Sequence, residues 1–304
     1  MSRIEQALEK AAHLRTTTSS AVKTKEPGNA SVQAIRQHTL LPPMDGAEFK
    51  THIENPLLAT LCDPHSPVSE EYRKLKSVVS AFAQQGKFKN VIMVTSSVSG
   101  EGKSITSLNL AITLAQEFDH TVLLVDADLR KPSLEGYLGM NTGKGLSDYL
   151  SGKAVLSELL IKSGIGRLTL LPGGSPLRNP VELFSSQKMR DFILEIKNRY
   201  PDRFIIIDTP PTLPFAETRS LSALVDGVLF VIREGSVTPE NILEAMNTFD
   251  SEKLIGTVYN DATKASLNGH YHYYGYGYGY SGQEMGISHK RQETGSFLSR
   301  LLRR

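Results

Sequence analysis

Eight residues, Ser97-Val98-Ser99-Gly100-Glu101-Gly102-Lys103-Ser104, follow an apolar run and open a helical pattern. No other segment limits the fold so strongly. The spacing is that of a phosphate-binding loop, with Ser97 in the place of the usual first glycine. Gly100 and Gly102 let backbone N–H groups close around phosphate oxygens without Cβ interference. A helix N-terminus supplies about half a positive charge at the same point. Lys103 adds a full charge, and Ser104 offers a hydroxyl suited to Mg²⁺. A chance Gly-Lys-Ser turn would need neither the strand before it nor the helix after it. Ser99, Gly100, Glu101, Gly102, Lys103, Ser104 and Ile105 are therefore the candidate nucleotide-binding residues.

Around this loop, short apolar runs alternate with helical patterns. Val91–Val94, Val122–Val125, Leu168–Leu171, Phe204–Ile207, Val228–Val231 and Leu254–Val258 read as strands. Lys103–Glu117 reads as a helix, and another pattern resumes near Ser69. Asn179-Pro180-Val181-Glu182 predicts a helix start, with Asn as N-cap, and that helix should run to about Arg199. Thr238-Pro239 opens a further one. Continuous apolar strands separated by helices predict an α/β fold, with a mainly parallel sheet covered on both faces.

Two more segments bear on the loop. Val125-Asp126-Ala127-Asp128-Leu129-Arg130-Lys131-Pro132 follows the second strand, and Ile207-Asp208-Thr209-Pro210-Pro211 follows the fourth. Both put carboxylates at the C-terminal ends of strands, where open α/β sheets bind ligands. A single Asp there can be a helix cap. Three beside a triphosphate would repel one another unless a divalent cation lay between them. Mg²⁺ takes one or two carboxylates plus phosphate and water oxygens. Ser104, Asp126, Asp128 and Asp208 are the candidate metal ligands.

The flanks differ from this body. Met1–Arg15 carries one apolar stripe, Ile4, Ala7, Leu8, Ala11 and Leu14, and reads as a short amphipathic helix. From Thr16 to about Pro67 periodicity is lost and the chain reads as a disordered linker. The expected divisions are residues 1–67, a nucleotide-binding domain at 68–262, and a flexible tail at 263–304 with a basic amphipathic end at Phe297–Arg304. The formal net charge of +2 gives no basic field for nucleic acid. A lone Cys62 excludes an internal disulfide framework and fits a reducing cytoplasm. No apolar run approaches the ~20 residues that cross a bilayer.

The tail holds Tyr271, Tyr273, Tyr274, Tyr276, Tyr278 and Tyr280, six of the chain's eleven tyrosines. Glycine alternation gives them no apolar face to bury, so packing does not account for them. Phenol hydroxyls on a flexible tether beside a nucleotide site look like substrate attached to its own enzyme.

In combination, Gly-Glu-Gly-Lys-Ser, Asp-Ala-Asp-Leu-Arg-Lys-Pro, Ile-Asp-Thr-Pro-Pro and the tyrosine cluster resemble the bacterial tyrosine autokinases of polysaccharide assembly. That family is built on the P-loop fold of the partition and septum-site ATPases. The N-terminal Ser2–Lys10 segment resembles the exosortase-linked exopolysaccharide subgroup, in which the kinase is a separate chain. The resemblance implies ATP and Mg²⁺, with Lys103 and Ser104 in Walker A. It makes Asp126 the base and metal ligand beside Asp128, and Asp208 the Walker B acid. It puts Asn260 against adenine and the six tail tyrosines in the role of phosphate acceptors. It also implies a homo-oligomeric ring through Glu70, Arg73 and Lys76, where the family's last position is Arg. Lysine keeps the charge but loses the bidentate fork. The implied partners are a membrane co-polymerase, as activator at the inner face of the plasma membrane, and a phosphotyrosine phosphatase. The implied role is control of exopolysaccharide polymerisation and export. The alternative is a switch ATPase of the partition type, which would dimerise on DNA or membrane. Such proteins carry an extra lysine before the P-loop glycines, and Ser97-Val98-Ser99-Gly100 has none.

Overall fold

The computed structural model describes residues 53–85, 88–117, 119–199 and 202–263. The N-terminal amphipathic segment, the basic end and the tyrosine cluster lie outside them. Seven strands form one sheet: β1 (Val91–Ser96), β2 (Thr121–Asp126), β3 (Ile161–Lys162), β4 (Leu168–Leu171), β5 (Arg203–Asp208), β6 (Gly227–Arg233) and β7 (Leu254–Asn260). Their order is β3-β4-β2-β5-β1-β6-β7, and all pairs are parallel except β3 with β4.

The core divides across the sheet as a side-chain period of two requires. Met93, Val125, Ile205, Ile207 and Phe230 point to one face and pack with Phe192, Ile193 and Ile196 of α3 (Gln187–Arg199). Ile92, Val94, Leu124, Ile206 and Val231 point to the other. There they meet Leu108, Ala111 and Ile112 of α2 (Lys103–Ala115) and Val79 of α1 (Pro67–Ala83). Both faces are dry, which is why these strands read as unbroken apolar runs.

Helix starts follow the chemistry of their first residues. Ser66 accepts the Ser69 N–H at 3.2 Å, with Pro67 at the first turn of α1. Thr238 accepts the Asn241 N–H ahead of α5 (Pro239–Met246), which comes after α4 (Ala216–Ser222) in the chain.

Three expectations need correction. The single helix from Asn179 to Arg199 is two. Val181–Ser185 stops at Ser186, whose backbone is extended (φ −69°, ψ 158°). The Ser186 hydroxyl then accepts the Met189 N–H at 3.1 Å and caps α3. Asn179 caps neither helix: the residue before Val181 is Pro180, and no side chain bonds to that end. The folded body also begins before residue 68. Leu58 is fully buried, and Asn109 of α2 accepts from both the N–H (3.1 Å) and the hydroxyl (2.9 Å) of Thr60. Long-range contacts therefore order a stretch that has no periodicity of its own. Finally, β3 adds an antiparallel edge too short to leave a pattern.

Candidate active site

β1 ends inside the sheet, and the chain turns at once into the loop that starts α2. Gly100 and Gly102 take φ of 87° and 93°, a region that an L side chain rarely adopts. No side chain caps the N-terminus of α2, so its first amides and its dipole face the loop. Ser97 is fully buried, and its hydroxyl has no hydrogen-bond partner among the described residues. The loop opens on a cavity of about 610 Å³ lined by Ser99, Gly100, Gly102, Lys103, Ser104, Ile105, Asp128 and Asn260, among others.

Lys103 Nζ lies 3.0 Å from Asp128 Oδ2. Burial works against the Lys103 charge, but the Asp208, Asp128 and Asp126 carboxylates outweigh it and raise its pKa. The lysine is thus held charged where phosphate would lie. Parallel register sets Asp126 level with Asp208 on neighbouring strands. Asp208 is fully buried and accepts from the Ser104 (2.6 Å) and Ser107 (3.1 Å) hydroxyls. Burial pushes its carboxyl up to about 6, against the pull of Lys103 and Ser104. Asp126 goes up to about 8, through burial first and Asp208 second.

The positions of the predicted residues differ from their assigned tasks in places. Asp128 lines the cavity and Asp126 does not. Asp126 accepts the backbone N–H groups of Ser133 (2.9 Å), Leu134 (3.0 Å) and Asp128 (3.2 Å), and so fixes the turn that carries Asp128. Glu101 does not line the cavity. Its side chain is buried and accepts the Val98 N–H at 2.8 Å and the Arg233 N–H at 3.3 Å, tying the loop to β6. Asn260 Nδ2 donates to the Glu101 carbonyl at 2.9 Å. Among the described residues no three acidic, His or Cys side chains gather as a metal cage. A Mg²⁺ site here would be completed by phosphate and water oxygens, which is this ion's habit.

A family model described as an AAA domain matches residues 89–254. Over 215 residues the chain is 34% identical to tyrosine-protein kinase YwqD of Bacillus subtilis, spanning 69% of this chain and 89% of that protein. The chain belongs to the bacterial tyrosine kinases. Tyrosine-protein kinase CpsD of Streptococcus agalactiae is 32% identical over 200 residues, covering 65% of this chain and 85% of that one. The solved kinase domain of Escherichia coli tyrosine kinase ETK superposes with a TM-score of 0.62 at 27% identity, over 73% of this chain and 84% of that domain. Tyrosine-protein kinase wzc of Salmonella typhi is 31% identical over 73% of this chain, which spans 31% of that longer protein.

Several residues of this tyrosine kinase escaped the sequence reading. Arg130, on the cavity wall, pairs through Nε with the fully buried Glu217 of α4. Its guanidinium also lies 4.4 Å from the centre of the Phe215 ring and donates to the Arg178 carbonyl at 2.9 Å. Leu57 and Tyr137 line the cavity as well. The Asp-x-Asp-x-Arg pattern could have pointed to Arg130; nothing local marks Glu217 or Leu57. On α1, Glu70 pairs with Arg73 at 2.5 Å, and both are exposed. Lys76 instead turns to Glu117 at 2.6 Å, so the three charges do not form one free strip. Among the described residues no helix is long and apolar enough to cross a membrane.

Proposed function

We propose that this kinase transfers the γ-phosphoryl group of ATP to its own tail tyrosines, Tyr271 to Tyr280. The tyrosine oxygen forms a bond to phosphorus, the bond to the ADP oxygen breaks, and the phenol proton leaves. The observation that carries the reading is the cradle around Gly102. Its φ of 93° and its open helix end stand beside Lys103, which is held charged 3.0 Å from Asp128. The transition state of this transfer is loose, so positioning and charge neutralisation dominate. The loop amides and Lys103 hold the outer phosphates. Asn260 and the end of β7 border the nucleobase end.

Ser104, Asp128 and Asp208, with Asp126 behind them, would hold Mg²⁺, which neutralises phosphate charge when bound. Asp128 is the carboxylate that lines the cavity beside Lys103 and accepts the phenol proton. Asp126 acts through the turn that it fixes. Six phosphotyrosines would add roughly −9 to −12 of charge to the tail. We infer that this charge drives subunits of a homo-oligomer apart, and that a membrane co-polymerase and a phosphotyrosine phosphatase set the cycle that controls exopolysaccharide assembly.

The test uses purified full chain with γ-labelled ATP and Mg²⁺, alone and with the cytoplasmic segments of a co-polymerase. Label should appear on tyrosine and vanish in Lys103→Met. ATP hydrolysis without tyrosine label under all conditions would overturn the reading.

A further inference from the structure

The stretch just before α1 is tied at several points. Asn55 Nδ2 donates to the Tyr137 carbonyl at 3.2 Å, and the Leu57 N–H donates back to Asn55 Oδ1 at 3.1 Å. Asn109 Nδ2 donates to the Leu57 carbonyl at 2.9 Å and to the Ile105 carbonyl at 3.0 Å. Leu58, the next residue, is fully buried. The backbone at Leu57 is thus fixed from both sides, yet its side chain is 55% exposed, at the cavity with Tyr137. An exposed leucine alone is ordinary. One held by its backbone on the wall of the cavity that Lys103 and Asp128 also line is a different matter.

Sheet order separates the two ends of that cavity. Asn260 ends β7, on one side of β1. Tyr137 follows β2, on the other side, where Asp128 also lies, and Lys103 follows β1 between the two ends. A nucleobase at the Asn260 end leaves the Leu57–Tyr137 end for the acceptor. The tail tyrosines, separated largely by glycine, can present a flat ring with little neighbouring bulk. An apolar wall with one aromatic member suits the body of that ring, while its hydroxyl points to the charged groups.

We propose that Leu57 and Tyr137 form the acceptor lip of this kinase and bind the phenol ring of a tail tyrosine. The proposal rests on the kinase reading above. It makes residues outside the nucleotide motifs responsible for preferring tyrosine to serine.

The test is phosphate transfer by the full chain to a free peptide of the Tyr271–Tyr280 sequence, at varied peptide and ATP concentrations. Leu57→Ala should raise the peptide KM about fivefold, since a half-exposed apolar contact discriminates at the low end of the usual range. The ATP KM should stay near the wild-type value, and Leu57→Phe should restore the peptide KM. Unchanged thermal melting would show that the exposed side chain is not needed for folding. A peptide KM unmoved by Leu57→Ala would overturn the lip. So would an ATP KM that rises as much as the peptide KM, which would place the nucleobase there instead. A wild-type chain that binds ATP but labels no peptide and no tail would refute the kinase reading itself.

Discussion

Asn260 Nδ2 stands 2.0 Å from the point that a Cβ on Gly102 would occupy, while donating to the neighbouring Glu101 carbonyl. Two distant parts of the chain, the loop after β1 and the end of β7, thus share one close contact at the nucleotide cavity. Gly102→Ala meets both obstacles at once, a φ of 93° and the Asn260 amide. It should cost about 1–3 kcal/mol of stability and abolish ATP binding. Asn260→Ala removes the obstacle and one hydrogen bond, so it should weaken ATP binding without abolishing it. Calorimetric titration with ATP checks both.

Arg130 is the cation for a carboxylate with no exposed surface. Arg130→Met leaves Glu217 buried and unpaired, and should destabilise the fold by about 3–5 kcal/mol. Arg130→Met combined with Glu217→Gln should cost less than Arg130→Met alone. Urea unfolding of the wild type, both single variants and the double variant measures this. A double variant that costs the sum of the two single variants would show that the pair is not coupled.

Burial holds the Asp126 carboxyl up to about 8, against an ordinary 3.8. A carboxyl raised on folding binds its proton more tightly when folded than when unfolded. Its contribution to stability is therefore complete below 3.8 and is lost as pH rises through about 8. Asp208, up to about 6, acts with the same sign over the lower part of that window. The metal-free chain should lose thermal stability as pH climbs from 4 to 8. Asp126→Asn should flatten the upper half of that slope. A melting temperature that rises over the same range in the metal-free wild type would contradict the assignment.

The α1 charges make separate contributions. Glu70 and Arg73 form an exposed pair, whereas Lys76 is engaged by Glu117. If α1 mediates self-association, Glu70→Ala and Arg73→Ala should weaken it more than Lys76→Ala. Sedimentation velocity at several concentrations orders the three. Lys76→Ala itself should change stability by less than about 1 kcal/mol, as partly exposed ion pairs do.

Most of the sheet was legible because both of its faces are dry. Leu168–Leu171 is a strand with the predicted ends, and Lys103 opens α2 as the loop motif required. What escaped depends on partners far away in sequence. Leu58 is buried in the cluster that holds Val79 of α1 and Leu108 of α2, and Asn109 is 49 residues from the Thr60 that it accepts from. Ser186 breaks a helical pattern by turning extended inside the polar stretch Ser185–Lys188, where no glycine or proline marks the break. The motif located the carboxylates but not their facing: Asp126 and Asp128 are two residues apart, and only the second lines the cavity. The same limit applies to Glu101, which sits inside the glycine motif and spends its side chain on Val98 and Arg233.

On the proposed mechanism, the tail is the substrate of its own active site. Intact and peptide mass spectrometry of the full chain after incubation with MgATP and a co-polymerase cytoplasmic segment tests it most directly. Phosphate should map to Tyr271–Tyr280 and be absent from Lys103→Met. Phosphate absent from those tyrosines under every condition, or equally present in Lys103→Met, would contradict it.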